Sequence, residues 1–122
     1  MAELDTQQIR NVALLSHTGA GTTMVSEAML FAAGIVSRAG KTDEGTTTSD
    51  FDPEETKRRT SVQTSVLPII WNSHKLNILD TPGYADYVGE VASTMRVADS
   101  AVIVVSAAAG LEVGSERAWK MV

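Results

Sequence analysis

Apolar residues fall along this chain in short runs separated by polar and glycine-rich stretches. Residues 9–15 form the first run and lead into the small-residue segment Ser16-His17-Thr18-Gly19-Ala20-Gly21. Length and flanking residues predict a strand there. Over 22–33, Val25, Ala28, Met29 and Ala32 recur at helical spacing, with Gly34 placed to stop a helix; the methionines read as plain core packing. Residues 40–61 are polar and lack a clear period, as a long functional or unstructured loop does. Runs over 65–71 and 75–79 predict an antiparallel pair turned at Asn72-Ser73-His74, with His74 as a turn residue. Residues 86–97 predict a second helix with Tyr87, Val91 and Met95 aligned. Residues 101–105 are apolar throughout, which predicts a strand buried on both faces of a parallel sheet. The end of the chain, from Trp119, again reads as helix, and no internal repeat appears. Strands interleaved with helices predict an α/β three-layer sandwich, mostly parallel, with one antiparallel edge pair.

The segment between the first strand and first helix carries candidate chemistry. Small residues let a backbone curl until successive N–H groups aim at one anion, and a following helix adds its positive end. Thr18-Gly19-Ala20-Gly21 supplies the curl and Thr23 a hydroxyl suited to a magnesium ion. This is the layout of a phosphate-cradling P-loop with two departures. Ser16 stands at the first glycine of the pattern, and Thr22 stands where a lysine would neutralise the outer phosphates. Alone, the segment is weak evidence and reads better as a Gly-Ala-Gly turn capping a helix. His17 could face either a phosphate or the sheet edge.

A second signal follows the strand over 75–79. Asp80-Thr81-Pro82-Gly83 puts a carboxylate at a strand's carboxyl end, where it can hold a metal ion through water, and a Pro-Gly turn that can aim an N–H at a terminal phosphate. Asp-x-Pro-Gly also makes a good turn without any ligand. Two such motifs in this order, each on its own strand, favour the functional reading.

At this point the chain resembles the start of the G domain of translational GTPases of the elongation factor G type. Arg10-Asn11-Val12-Ala13, the loop through Thr23, Asp80-Thr81-Pro82-Gly83, Met95-Arg96-Val97-Ala98-Asp99 and Gly110-Leu111-Glu112-Val113 carry the likeness. Thr47-Thr48-Ser49-Asp50-Phe51-Asp52-Pro53-Glu54-Glu55 and Gly83-Tyr84-Ala85-Asp86-Tyr87 resemble the elongation-factor-G-like branch more than the housekeeping factor. The resemblance implies a P-loop NTPase fold, a tail over 1–8 and a partial G domain over 9–122, with switch I over about 40–61. It implies that the backbone from His17 to Thr23 wraps the α- and β-phosphates of GTP or GDP and that the Gly83 N–H senses the γ-phosphate. Thr23 would bind Mg2+ directly, Asp80 through water, and Ser61 would complete the metal shell. Tyr84 stands where the housekeeping factor orients the attacking water with a histidine; a phenol with pKa near ~10 handles protons less well. Ser106 replaces an aspartate, with no effect assigned.

Thr22 is the departure that matters most. Losing the partner of a buried charge costs ~2–5 kcal/mol, roughly one and a half to four decades of affinity. The Lys57-Arg58-Arg59 run could partly offset that loss, though charge runs are mostly solvated. No Asn-Lys-x-Asp guanine-reading motif occurs, so the expectation is a truncated domain whose guanine preference comes only from the resemblance. Such a piece should be inactive by itself, expose an apolar sheet edge and aggregate.

Composition narrows the partners. Charged residues make up 20% and apolar ones 43%, ordinary for a globular protein. A net charge of −5 and pI near 4.9 argue against direct binding of DNA, and a ribosome, the partner implied by the resemblance, would be met through local surfaces. The lack of cysteine fits a cytoplasmic home, the amino terminus has no signal-peptide core, and no apolar run is long enough to cross a membrane. Two readings stay open: the GTP-hydrolysing part of a ribosome-stimulated factor, or a degenerate domain that binds nucleotide weakly or not at all and serves as a binding or structural module.

Overall fold

A computed structural model describes residues 5–122. The chain runs β1 (Ile9–Ser16), α1 (Thr22–Ala32), α2 (Pro53–Arg58), β2 (Ser65–Trp71), β3 (His74–Asp80), α3 (Val88–Met95), β4 (Ser100–Val104) and α4 (Val113–Met121). The strands form one sheet in the order β2-β3-β1-β4. β1 is parallel to β3, with Val12 opposite Ile78, and parallel to β4, with Leu14 opposite Val102. β2 and β3 form the expected antiparallel edge pair.

Alternation along β1 builds the layers. Leu14 points to one face, where it packs with Leu30 of α1 and with Leu67, Ile69 and Ile78. Ala13 and Leu15 point to the other face, against Ala118 of α4 and beside Val91 and Met95 of α3. One helix therefore covers one face and two cover the other, giving the three-layer α/β fold expected. Of the tail over 1–8, residues 1–4 lie outside the described residues, with most of the acidic amino terminus. Thr6–Gln8 form a 3-10 turn capped by Asp5.

Several elements depart from expectation. Ala28 and Ala32 of α1 are exposed; the helix instead buries Thr22, Thr23, Ser26, Glu27 and Leu30. Its inward side is largely polar because it faces the segment over 40–61 as well as the sheet. Gly34 does stop the helix, with φ of 71°. The second helix begins later than expected, at Val88, after a 3-10 turn over Ala85–Tyr87. Asn72 and Ser73, both at positive φ, make the two-residue turn, whereas His74 begins β3 opposite Trp71. The long polar segment contains α2, started by Pro53 and by a reciprocal cap between Asp52 and Glu55. β4 is not buried on both faces. It is the sheet's edge among the described residues, and Val102 is 43% exposed.

Candidate functional site

β1 ends at Ser16, and the chain then curls through His17–Gly21 into α1. Gly19 and Gly21 have φ of 77° and 105°, and a Cβ at either would meet nothing. Backbone conformation, not space, therefore makes glycine the fitting residue at both. Gly21 is the N-cap of α1 and no side chain caps the helix, so the amides of its first turn stay open toward the loop.

The turn after β3 locks onto this loop. The Thr81 hydroxyl donates to the Leu14 carbonyl at 2.6 Å and the Thr18 hydroxyl to the Gly83 carbonyl at 3.0 Å. A Cβ on Gly83 would lie 2.9 Å from His17 C and Thr18 N, so only glycine fits this approach. Thr81 and Pro82 are buried and serve the contact between the two turns.

These contacts bring Asp80 beside the start of α1. Its carboxylate accepts from the Ser26 hydroxyl at 3.2 Å, while Oδ1 is buried without a partner. Burial pushes its pKa up to about 6; the neighbouring Thr23 hydroxyl opposes the shift, Asp50 adds to it, and Ser26 and Ser49 favour the anion. The Thr23 and Ser61 hydroxyls lie 3.2 Å apart, and Ser61 donates to Asp50 Oδ1 at 2.7 Å. Asp50 is also buried, and its pKa is raised, first by desolvation, against the pull of the Ser61 hydrogen bond. Thr23, Ser61, Asp80 and Asp50 thus form one buried group of hard oxygen donors, 57 residues apart at the extremes of Thr23 and Asp80 (80 − 23). A small divalent cation fits this donor set, and the orphaned Asp80 oxygen is the atom it would satisfy. Among the described residues no three His, Cys, Asp or Glu gather as an all-protein cage. A magnesium ion asks for none, since it takes one or two carboxylates and fills its shell with water and phosphate.

Beside this group lies a hollow of about 210 Å³ lined by Ser16, Thr18, Gly19, Gly21, Thr22, Thr23 and Gly83 from the expected set, and also by Asp50, Arg59 and Ser61. Other expected residues lie elsewhere. Ala20 closes the curl by donating its N–H to the His17 carbonyl at 3.1 Å. The His17 ring turns to α4, where Nδ1 accepts from the Gly114 N–H at 3.2 Å and Nε2 is 3.5 Å from Glu112. Tyr84 is half-exposed beside Tyr87, at 6.3 Å between ring centroids, and lines a separate cavity of about 30 Å³. Ser106 shapes a tight turn by accepting the Gly110 N–H at 2.8 Å on its carbonyl.

Asp50 is a residue of this group that the sequence reading did not single out; it appears there only within the stretch over 47–55 that carries the family likeness. The available signal was its setting, a carboxylate following Thr47-Thr48-Ser49 in the segment that also carries Ser61.

A mostly parallel sheet, a glycine-rich loop opening a helix, and an aspartate at the end of the neighbouring strand define the class of P-loop nucleotide-binding domains. Residues 7–122 match the family described as the elongation factor Tu GTP binding domain, and the chain belongs to that family. The chain is 41% identical over 118 residues to "Ribosome-releasing factor 2, mitochondrial" of Scheffersomyces stipitis, covering 97% of this chain and 14% of that protein. It is 39% identical over 112 residues to "Elongation factor G 2" of Streptomyces coelicolor, covering 92% of this chain and 16% of that protein. A solved protein from Thermus thermophilus matches with a TM-score of 0.89 and 46% identity, over 93% of this chain and 17% of that one. A bacterial selenocysteine-specific elongation factor matches with a TM-score of 0.71 at 18% identity, over 92% of this chain and 17% of that one, a likeness of fold alone. The chain thus spans about one seventh of the length of the first of these relatives.

Proposed function

We propose that this chain is the phosphate- and magnesium-holding part of the GTP-binding domain of an elongation-factor-G-like translation factor that hydrolyses GTP while working on the ribosome. The observation that carries this reading is the convergence of Thr23, Ser61 and Asp80 beside a hollow edged by the open amides of α1. In this reading the amides of 17–23 bind the α- and β-phosphates, and the Gly83 N–H meets the γ-phosphate. Thr23 and Ser61 hold Mg2+ through their hydroxyls, with Asp80, and Asp50 behind Ser61, holding its water. The ion supplies neutralisation of phosphate charge. Tyr84, one residue past Gly83, is the group for orienting water. Guanine preference and the ribosome as partner rest on the family and on the names of the relatives.

A second reading, weak nucleotide binding without useful turnover, is favoured by one observation: Thr22 lines the hollow and carries no charge. The test is titration of full-length protein with a fluorescent GTP analogue and Mg2+, followed by phosphate release on ribosomes. Saturation with ribosome-stimulated release is expected. Saturation without release selects the second reading, and absence of binding overturns both. A cytoplasmic home is part of the proposal; the Scheffersomyces stipitis relative carries "mitochondrial" in its name, and fractionation of tagged protein decides between the two.

A further inference from the structure

The P-loop of this protein brings no cation to the hollow, and two buried carboxylates, Asp50 and Asp80, stand beside it. A polyphosphate entering there would meet amide dipoles, hydroxyls and a metal ion, but no side-chain charge from the loop itself. One basic residue does line the hollow, and it comes from the switch segment: Arg59.

The three basic residues ending α2 are not equivalent. Arg58 is held by Glu54 one helical turn back and reaches the Tyr87 hydroxyl at 3.5 Å. Lys57 is exposed and does not line the hollow. Arg59 lines it and forms no ion pair among the described residues. Its backbone is also distinctive. Arg59 sits at φ 54° and ψ 38°, the left-handed region that glycine and asparagine occupy most easily. That step ends α2 and delivers Ser61 to Thr23. A bulky side chain at a position that suits glycine is a cost to the fold. A forked guanidinium, matched to phosphate oxygens, is what the residue at this position has within reach of the hollow.

We propose that Arg59 is a nucleotide-binding residue that supplies, from the switch segment, the charge that Thr22 does not supply from the P-loop. The inference rests on the nucleotide-binding reading above. It adds that one charged contact of the phosphate cradle comes from the segment over 40–61 and not from the loop before α1.

The test uses full-length protein, a fluorescent GTP analogue with Mg2+, and thermal melting. Arg59→Asn and Arg59→Gly both remove the charge and both accept the left-handed backbone. Each is expected to weaken binding at least ~10-fold, as loss of a charged phosphate contact does, while the melting temperature holds or rises. Thr22→Lys added to either variant is expected to restore the affinity, because it returns the charge from the other side of the loop. Binding by either folded variant as tight as the parent's overturns the inference and leaves the nucleotide reading standing. Failure of Thr22→Lys to restore affinity overturns the shared-charge account. Absence of nucleotide binding in both the parent and Thr22→Lys overturns the nucleotide reading, and this inference with it.

Discussion

Asp80 occupies a place where a carboxylate is costly: it is 1% exposed, one oxygen lacks a partner, and its charge is disfavoured by burial. An unsatisfied buried polar group costs about 1–3 kcal/mol, so the residue makes sense through what it can hold rather than through stability. Asp80→Asn keeps the shape and removes the charge. Its melting temperature without metal should therefore match or exceed the parent's, by up to about 6 °C for a domain of this size. Any increment that Mg2+ and nucleotide give the parent should vanish. A differential scan with and without Mg2+ checks both halves, and an Asn variant still stabilised by the ion would remove Asp80 from the metal shell. Asp80 and Thr23 were legible in the sequence because each sits at a fixed offset from the end of a strand or the start of a helix. Asp50 was not, because its role exists only once a segment without periodic pattern folds back and Ser61 meets Thr23.

Elements follow the same division. The strands announce themselves as apolar runs, since alternation across β1 is what feeds both cores. The segment over 40–61, with the three residues after it, offers no such pattern, because carboxylates rather than apolar side chains hold its backbone. Glu27 of α1 is 1% exposed and accepts the Gly40 N–H at 2.8 Å and the Thr48 N–H. Glu55 of α2 accepts the N–H groups of Val62 and Gln63 at 2.9 and 3.1 Å. Glu90 of α3 accepts the Thr64 N–H at 2.9 Å. Backbone amides at the buried Gly40 and at partly buried bonds farther on thus find carboxylate acceptors, the stronger kind of hydrogen bond. Gly40 belongs to the same device: a Cβ there would lie 2.3 Å from the Thr46 carbonyl oxygen. Glu27→Ala strands two amides and is expected to destabilise by about 2–3 kcal/mol, in line with lost bonds to a charged group. Hydrogen exchange gives the sharper reading. The amides of Gly40 and Thr48 should exchange much faster in the variant, with β1 and β3 little changed. Uniform acceleration across the sheet instead would mean that Glu27 supports the core and not the segment.

The whole molecule is lopsided at its two sheet edges. On β2 the solvent-facing Val66 and Ile70 flank Pro68, which cannot donate to an incoming strand. β4 has no proline; Val102 faces solvent on the Leu14 side of the sheet, and an apolar basin opens on the opposite face, beside Ile103. That basin, about 510 Å³, is lined by Ile103, Val105, Leu111 and Trp119, with Leu111 77% and Trp119 75% exposed. Large contiguous apolar surface of this kind is uncommon on a monomer and drives association. The 122-residue chain by itself is therefore expected to self-associate through β4 and α4 rather than through β2. Sedimentation velocity across a concentration series measures this. Val102→Lys places a charge on the β4 edge, where the side chain already faces solvent, and should shift the chain toward monomer with its circular dichroism unchanged. Val66→Lys on the β2 edge should leave the association in place. If the β2 substitution breaks the association and the β4 substitution does not, the β4 edge is not the sticky one, and the proline on β2 is not its guard.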